Sequence, residues 1–138
     1  MLLRKANAVW LGDLKGGKGI MQFPGFEGPY TYLSRFADET GTNPETLLGA
    51  AHAGCFSMAL SSGLTKAGFP PEKIETVATV NMTAEKGHKI SEIHLDCSAK
   101  VAGIDPEQFQ KIAHDAKVNC PVSVALQAVE ITLEAKLI

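Results

Sequence analysis

Gly41-Thr42-Asn43-Pro44-Glu45-Thr46-Leu47-Leu48-Gly49-Ala50-Ala51-His52-Ala53-Gly54-Cys55 opens a helix and carries a thiol into it. Asn43 suits the N-cap, Pro44 the first helical position, and Glu45 puts a negative charge where the helix dipole favours one. From Thr46 to Thr65 there is no Asp, Glu, Lys or Arg. The pattern predicts one long helix from Pro44 to about Lys66, stopped by Gly68 and Pro70-Pro71. A chargeless helix of that length must be covered on most of its circumference. Gly49, Ala50, Ala51, Ala53 and Gly54 leave room for another backbone, as when two such helices pack together. Cys55 is then either inert packing or a nucleophile whose reactivity is imposed from outside the helix.

Upstream, residues 4–11 and 20–23 read as strands joined by a glycine-rich turn. A loop over 24–29 and a third strand over 30–36, carrying Arg35, follow. Downstream, residues 74–84 and 90–101 form a hairpin around Glu85-Lys86-Gly87-His88. Ile93, Leu95, Cys97, Ala99 and Val101 alternate with polar residues, which puts Cys97 on the core face. Asp105-Pro106-Glu107-Gln108 repeats the cap, proline and acid opening, and Phe109, Ile112, Ala113 and Ala116 make the stripe of a second helix. Pro121 ends or bends it, and residues 121–127 can start a short third helix with Cys120 at its N-cap. Residues 129–137 alternate as a final strand. The order βββ, α, ββ, αα, β predicts an α+β fold with mostly antiparallel pairing.

With 138 residues, 45% of them hydrophobic, the chain can build one ordinary core and reads as a single domain, 1–138. A net charge of −2 with scattered Lys and Arg gives no electrostatic reason to expect nucleic acid or an anionic membrane as partner. Met1-Leu2-Leu3-Arg4-Lys5 reaches charge too soon for a signal peptide, so the expected location is the cytoplasm. Residues 46–65 are long enough for a membrane span, but their serines, glycines and His52, in soluble surroundings, favour a buried core helix. Cys55, Cys97 and Cys120 contain no CxxC pair and make a poor disulfide scaffold. In a reducing compartment each thiol serves packing, metal binding or redox chemistry.

Several constellations compete. Gly12, Gly17 and Lys18 imitate a phosphate-binding loop, but Gly19 stands where a Ser or Thr is needed and no helix follows, so a hairpin turn is the better reading. His52 and Cys55, at i and i+3, share a helix face and could pair as base and nucleophile. A packing histidine is the commoner case, and nothing localises an orienting group or an oxyanion hole. The Cys and His spacings match no structural zinc site. Cys55 and Cys120 sit among small residues, and buried filler and a redox pair both remain open for them.

Arg35-Phe36, residues 41–45, the run from Gly49 to Leu60, Gly103-Ile104-Asp105 and Cys120-Pro121-Val122-Ser123 together resemble the osmotically inducible protein C (OsmC) family, a relative of the organic hydroperoxide resistance proteins. The resemblance covers essentially the whole chain, and Ala50-Ala51-His52-Ala53 before Cys55 has the OsmC-like form. It implies a thiol peroxidase acting on organic hydroperoxides. Cys55 would be the peroxidatic cysteine, Cys120 the resolving one, Arg35 the group that activates the thiolate and Glu45 the carboxylate that holds the arginine. It implies an intertwined homodimer with two long central helices inside the sheets, an external dithiol reductant of lipoyl type, and no cofactor.

Elementary physics constrains that assignment. A thiol with an ordinary pKa of ~8.5 must ionise to attack, and burial raises the value. Cys55 lies 11 residues beyond Pro44, about 16 Å along the axis, so its own helix dipole gives little help. Arg35 suits the task because a guanidinium stays charged when partly buried. Glu45, ten residues before Cys55, is ~15 Å away along the axis, so Arg35 must bridge the gap or a second subunit must bring the carboxylate. The second arrangement is expected. Phe23, Phe26, Phe56 and Met58 are candidates for a hydrophobic entrance or for core. Two other readings stand beside the peroxidase: a binding protein whose cysteines line an apolar pocket, and a cysteine hydrolase using His52.

Overall fold

Strands β1 (Asn7–Leu11), β2 (Lys18–Phe23) and β3 (Phe26–Tyr30) pair antiparallel in that order, in a computed structural model that describes residues 1–138. They belong to the first of two units, Met1–Leu47; the second is Leu48–Ile138. Lys18 opens a strand, so residues 12–17 are a hairpin turn. Gly19 sits between the Trp10 and Tyr30 rings, whose centroids are 5.3 Å apart. A β-carbon there would lie 2.6 Å from Tyr30 and 2.7 Å from Trp10, so only glycine fits.

The structure corrects two expectations in this unit. Residues 26–29, read as loop, belong to β3, which runs on to Tyr30, and residues 32–36, read as strand, are the short helix α1 (Tyr32–Phe36). Pro24-Gly25, with Gly25 at φ +89°, makes a tight turn instead of a long loop. Pro29 is tolerated because β3 is an edge strand of the β1-β2-β3 sheet. Thr31 then caps α1 reciprocally: its hydroxyl accepts from Ser34 N at 3.1 Å, and Ser34 Oγ accepts from Thr31 N at 2.8 Å.

The long helix α2 (Pro44–Lys66) has the predicted bounds. Asn43 Oδ1 accepts from Thr46 N at 2.8 Å, and Gly68 takes φ +91° just beyond the end. Its buried positions are Gly49, His52, Phe56, Leu60 and Leu64, a single stripe. Coverage of most of the circumference is therefore not achieved within one chain: Ala50, Ala51, Gly54 and Met58 are exposed. The small residues divide by use. A β-carbon on Gly49 would meet Val80 Cγ2 at 3.2 Å, while one on Gly54 would meet nothing within 4 Å.

In the second unit β4 (Lys73–Thr83) and β5 (Lys89–Lys100) form the expected antiparallel hairpin, and β6 (Glu130–Leu137) joins β5 in parallel. The parallel pair is the exception to antiparallel pairing, and it follows from the crossover through α3 (Pro106–Asn119) and α4 (Pro121–Ala125). Because β5 is the central strand, its inward residues Ile93, Leu95, Cys97 and Ala99 are fully buried with Phe56, Leu60 and Leu64 of α2 and Phe109 and Ala113 of α3. Each large apolar side chain so buried contributes about 1.5–3 kcal/mol against the entropy of ordering it.

Candidate active site

Two helix features in the second unit bring Cys55 and Cys120 near each other. Cys55 lies on α2 beside the buried stripe and is partly exposed; Cys120 ends α3, caps α4 and is 1% exposed. Both are free thiols, and Cys120 lies close enough to Cys55 to perturb its ionisation. Burial pushes the Cys55 thiol above its ordinary pKa, a hydrogen bond from the Val122 backbone opposes the rise, and Cys120 adds to it. The N-cap role read for Cys120 is realised: Ser123 N donates to its sulphur at 3.4 Å. Cys97 is held apart on the core face, where burial raises its pKa as well.

His52 does not serve Cys55. Its Nε2 lies 2.8 Å from Ser123 Oγ, and that hydroxyl lies 3.1 Å from Cys120 Sγ. All three residues are buried, burial lowers the histidine pKa, and Nδ1 has no hydrogen-bond partner. The base–nucleophile pair considered for a hydrolase is therefore not formed. Ser123 carries no role in the sequence reading. The signal for it is the Cys120-Pro121-Val122-Ser123 spacing, since an N-cap sulphur must meet the residue three positions on.

In the first unit α1 presents Arg35 to Glu45 in the first turn of α2. Nη2 donates to Oε1 at 2.8 Å, and Nε donates to Oε1 at 3.2 Å and Oε2 at 3.4 Å. The fork leaves the Arg35 side chain 37% exposed and the Glu45 side chain 12% exposed. Ser34 fixes the geometry, donating to Thr42 O at 2.8 Å while its own carbonyl accepts from Asn43 Nδ2 at 3.2 Å. Arg35 also lines a cleft of about 190 Å³ with Trp10, Leu14, Tyr30, Tyr32 and Phe36. The expected entrance residues divide: Phe56 is core, Met58 is exposed, and Phe23 stacks on Phe26 with centroids 4.8 Å apart.

The sequence profile described as OsmC-like protein matches residues 37–134. Peroxiredoxin OsmC of Escherichia coli strain K12 is 46% identical over 138 aligned residues, covering 97% of this chain and 96% of that protein. The chain belongs to the OsmC-like family. Solved OsmC-like structures share the fold. The organic hydroperoxide resistance protein OhrB of Bacillus subtilis superposes with a TM-score of 0.74 at 25% identity, covering 96% of this chain and 98% of that one. An OsmC-like protein of Mycoplasma pneumoniae reaches 0.78 at 14% identity, covering 99% and 98%. In this OsmC-like chain the four residues singled out by resemblance fall into two closed pairs, Arg35 with Glu45 and Cys55 with Cys120.

Proposed function

We propose that this peroxiredoxin-like protein reduces organic hydroperoxides to alcohols, with Cys55 as the attacking thiolate and Cys120 as the thiol that closes the disulfide. The nearness of Cys120 to Cys55 carries the reading, because an oxidised Cys55 then has a second thiol to condense with. Cys55 attacks the terminal peroxide oxygen; the O–O bond breaks, the alkoxide leaves and takes a proton, and the sulphur becomes a sulfenic acid. Cys120 then displaces the oxygen as water. An external dithiol of lipoyl type reduces the disulfide by exchange.

Burial alone keeps Cys55 protonated at neutral pH, so the reaction needs a cation. Arg35, oriented by Glu45, is the group we assign, acting on a Cys55 of its own or of a second subunit. The aromatic cleft at Arg35 suits the organic part of the peroxide. The uncovered face of α2 at Ala50, Ala51, Gly54 and Met58 supports a homodimer in which two such helices pack. A dithiol-dependent cycle fits a cytoplasmic setting.

The test is peroxide consumption with dihydrolipoamide or dithiothreitol for the wild type, Cys55→Ser and Cys120→Ser, with mass analysis after one equivalent of tert-butyl hydroperoxide. A Cys55–Cys120 disulfide in the wild type and loss of turnover in Cys55→Ser support the reading. Thiols that survive the peroxide unchanged refute it.

A further inference from the structure

We propose that Ser123 and His52 form a proton relay serving Cys120 in the disulfide-forming step. The proposal rests on the roles given above to Cys55 and Cys120 and adds two residues to them. Ser123 Oγ stands between the Cys120 sulphur, at 3.1 Å, and His52 Nε2, at 2.8 Å, and joins positions 71 apart in sequence. None of the three is more than 4% exposed, so water does not compete for these bonds.

The direction of the bonds gives the chain its chemistry. A hydroxyl donates and accepts at once. The relay can run from the thiol proton to Oγ and from the Oγ proton to Nε2, or in reverse from Nε2–H to Oγ and from Oγ–H to a Cys120 thiolate. The two arrangements differ by one proton moved from sulphur to imidazole. A histidine kept only for packing would not bury one ring nitrogen without a partner and spend the other on a hydroxyl that touches a thiol. Burial disfavours the imidazolium, so the proton is lent and not kept.

The step balances as follows. As Cys120 attacks the Cys55 sulfenic acid, the S–S bond forms and the S–O bond breaks. The Cys120 sulphur is oxidised and the sulfenic sulphur reduced by the shared electron pair. The thiol proton moves through Ser123 to His52, while the departing hydroxide takes a proton from solvent and leaves as water; His52 returns its proton through Ser123 when the external dithiol releases Cys120 as a thiolate. Ser123 touches the reacting sulphur; His52 acts through it and is a positioning residue.

Single-turnover kinetics with one equivalent of tert-butyl hydroperoxide, quenched with dimedone and read by mass spectrometry, separate sulfenic acid formation from its condensation. Ser123→Ala and His52→Gln should form the sulfenic acid as the wild type does, yet condense at least about tenfold more slowly, the low side of what a positioned acid–base group contributes. The deficit should shrink as pH rises and the thiol ionises unaided. Ser123→Thr, which keeps the hydroxyl, should condense at the wild-type rate. Condensation at that rate in either Ser123→Ala or His52→Gln overturns the relay, as does equal slowing of both steps. A wild type that forms no disulfide overturns the cysteine assignment itself, a different signature.

Discussion

Arg35 and Glu45 meet side-on, with Nη2 and Nε both donating to Oε1 at 2.8 and 3.2 Å. The arrangement fixes the plane of the guanidinium, which a lysine ammonium in its place would not do. With the arginine more than a third exposed, the pair's contribution to stability is small, so its value is directional.

Substitution at this pair should therefore change rate and spare stability. Arg35→Ala should lower kcat/KM for tert-butyl hydroperoxide on the order of 100-fold, the scale of losing one preorganised donor, and Glu45→Gln should fall between it and the wild type. Urea denaturation should show both variants within about 1 kcal/mol of the wild type. An Arg35→Ala protein with unchanged kcat/KM would remove the arginine from the mechanism.

The ionisation of Cys55 offers an independent check. In the chain alone its pKa is raised, chiefly by burial, so folding holds the proton and the thiolate appears only as pH climbs past the ordinary thiol range. In Cys120→Ser protein, iodoacetamide alkylation of Cys55 in the Arg35→Ala background should have its midpoint above ~8.5. With Arg35 present the midpoint should move downward. The same sign applies to stability: a raised thiol pKa favours the folded state below the unfolded value, and that advantage is lost as pH rises through the folded one. Identical midpoints with and without Arg35 would show that the guanidinium does not set the thiolate.

Gly19 provides a purely structural prediction. A methyl group between the Trp10 and Tyr30 rings must push one of them aside, so Gly19→Ala should destabilise by about 1–3 kcal/mol. A chemical denaturation midpoint equal to that of the wild type would contradict the close approach described here.

The open face of α2 makes the dimer testable. Ala51→Glu places a charge on the small-residue surface without touching the buried stripe. Light scattering should report a dimer for the wild type and a monomer for the variant, with helix content retained. A monomeric wild type would leave the exposed face of α2 without the partner assigned to it.

Legibility in the sequence depended on whether a signal was local. The α2 bounds were readable because Asn43, Pro44 and Gly68 act on backbone groups within one turn of themselves. The β5 alternation was readable because a central strand buries every second residue. The β3–α1 boundary was not: Pro29 and Gly28 resemble loop residues until the edge position excuses them, and Thr31 with Ser34 is a capping box without the usual acidic partner. The partner of His52 was out of reach for the same reason, since Ser123 lies 71 positions away and only the packing of α2 against α4 brings it near.

Cys97 has a practical consequence. It lies with no exposure beneath the sheet, and its proton is held there by burial. Oxidant reaching the other sulphurs should pass this one by, so every molecule retains an internal standard. The ratio of modified to unmodified cysteine-bearing peptides in a single digest then reports how far oxidation has gone, with no separate calibration of protein amount.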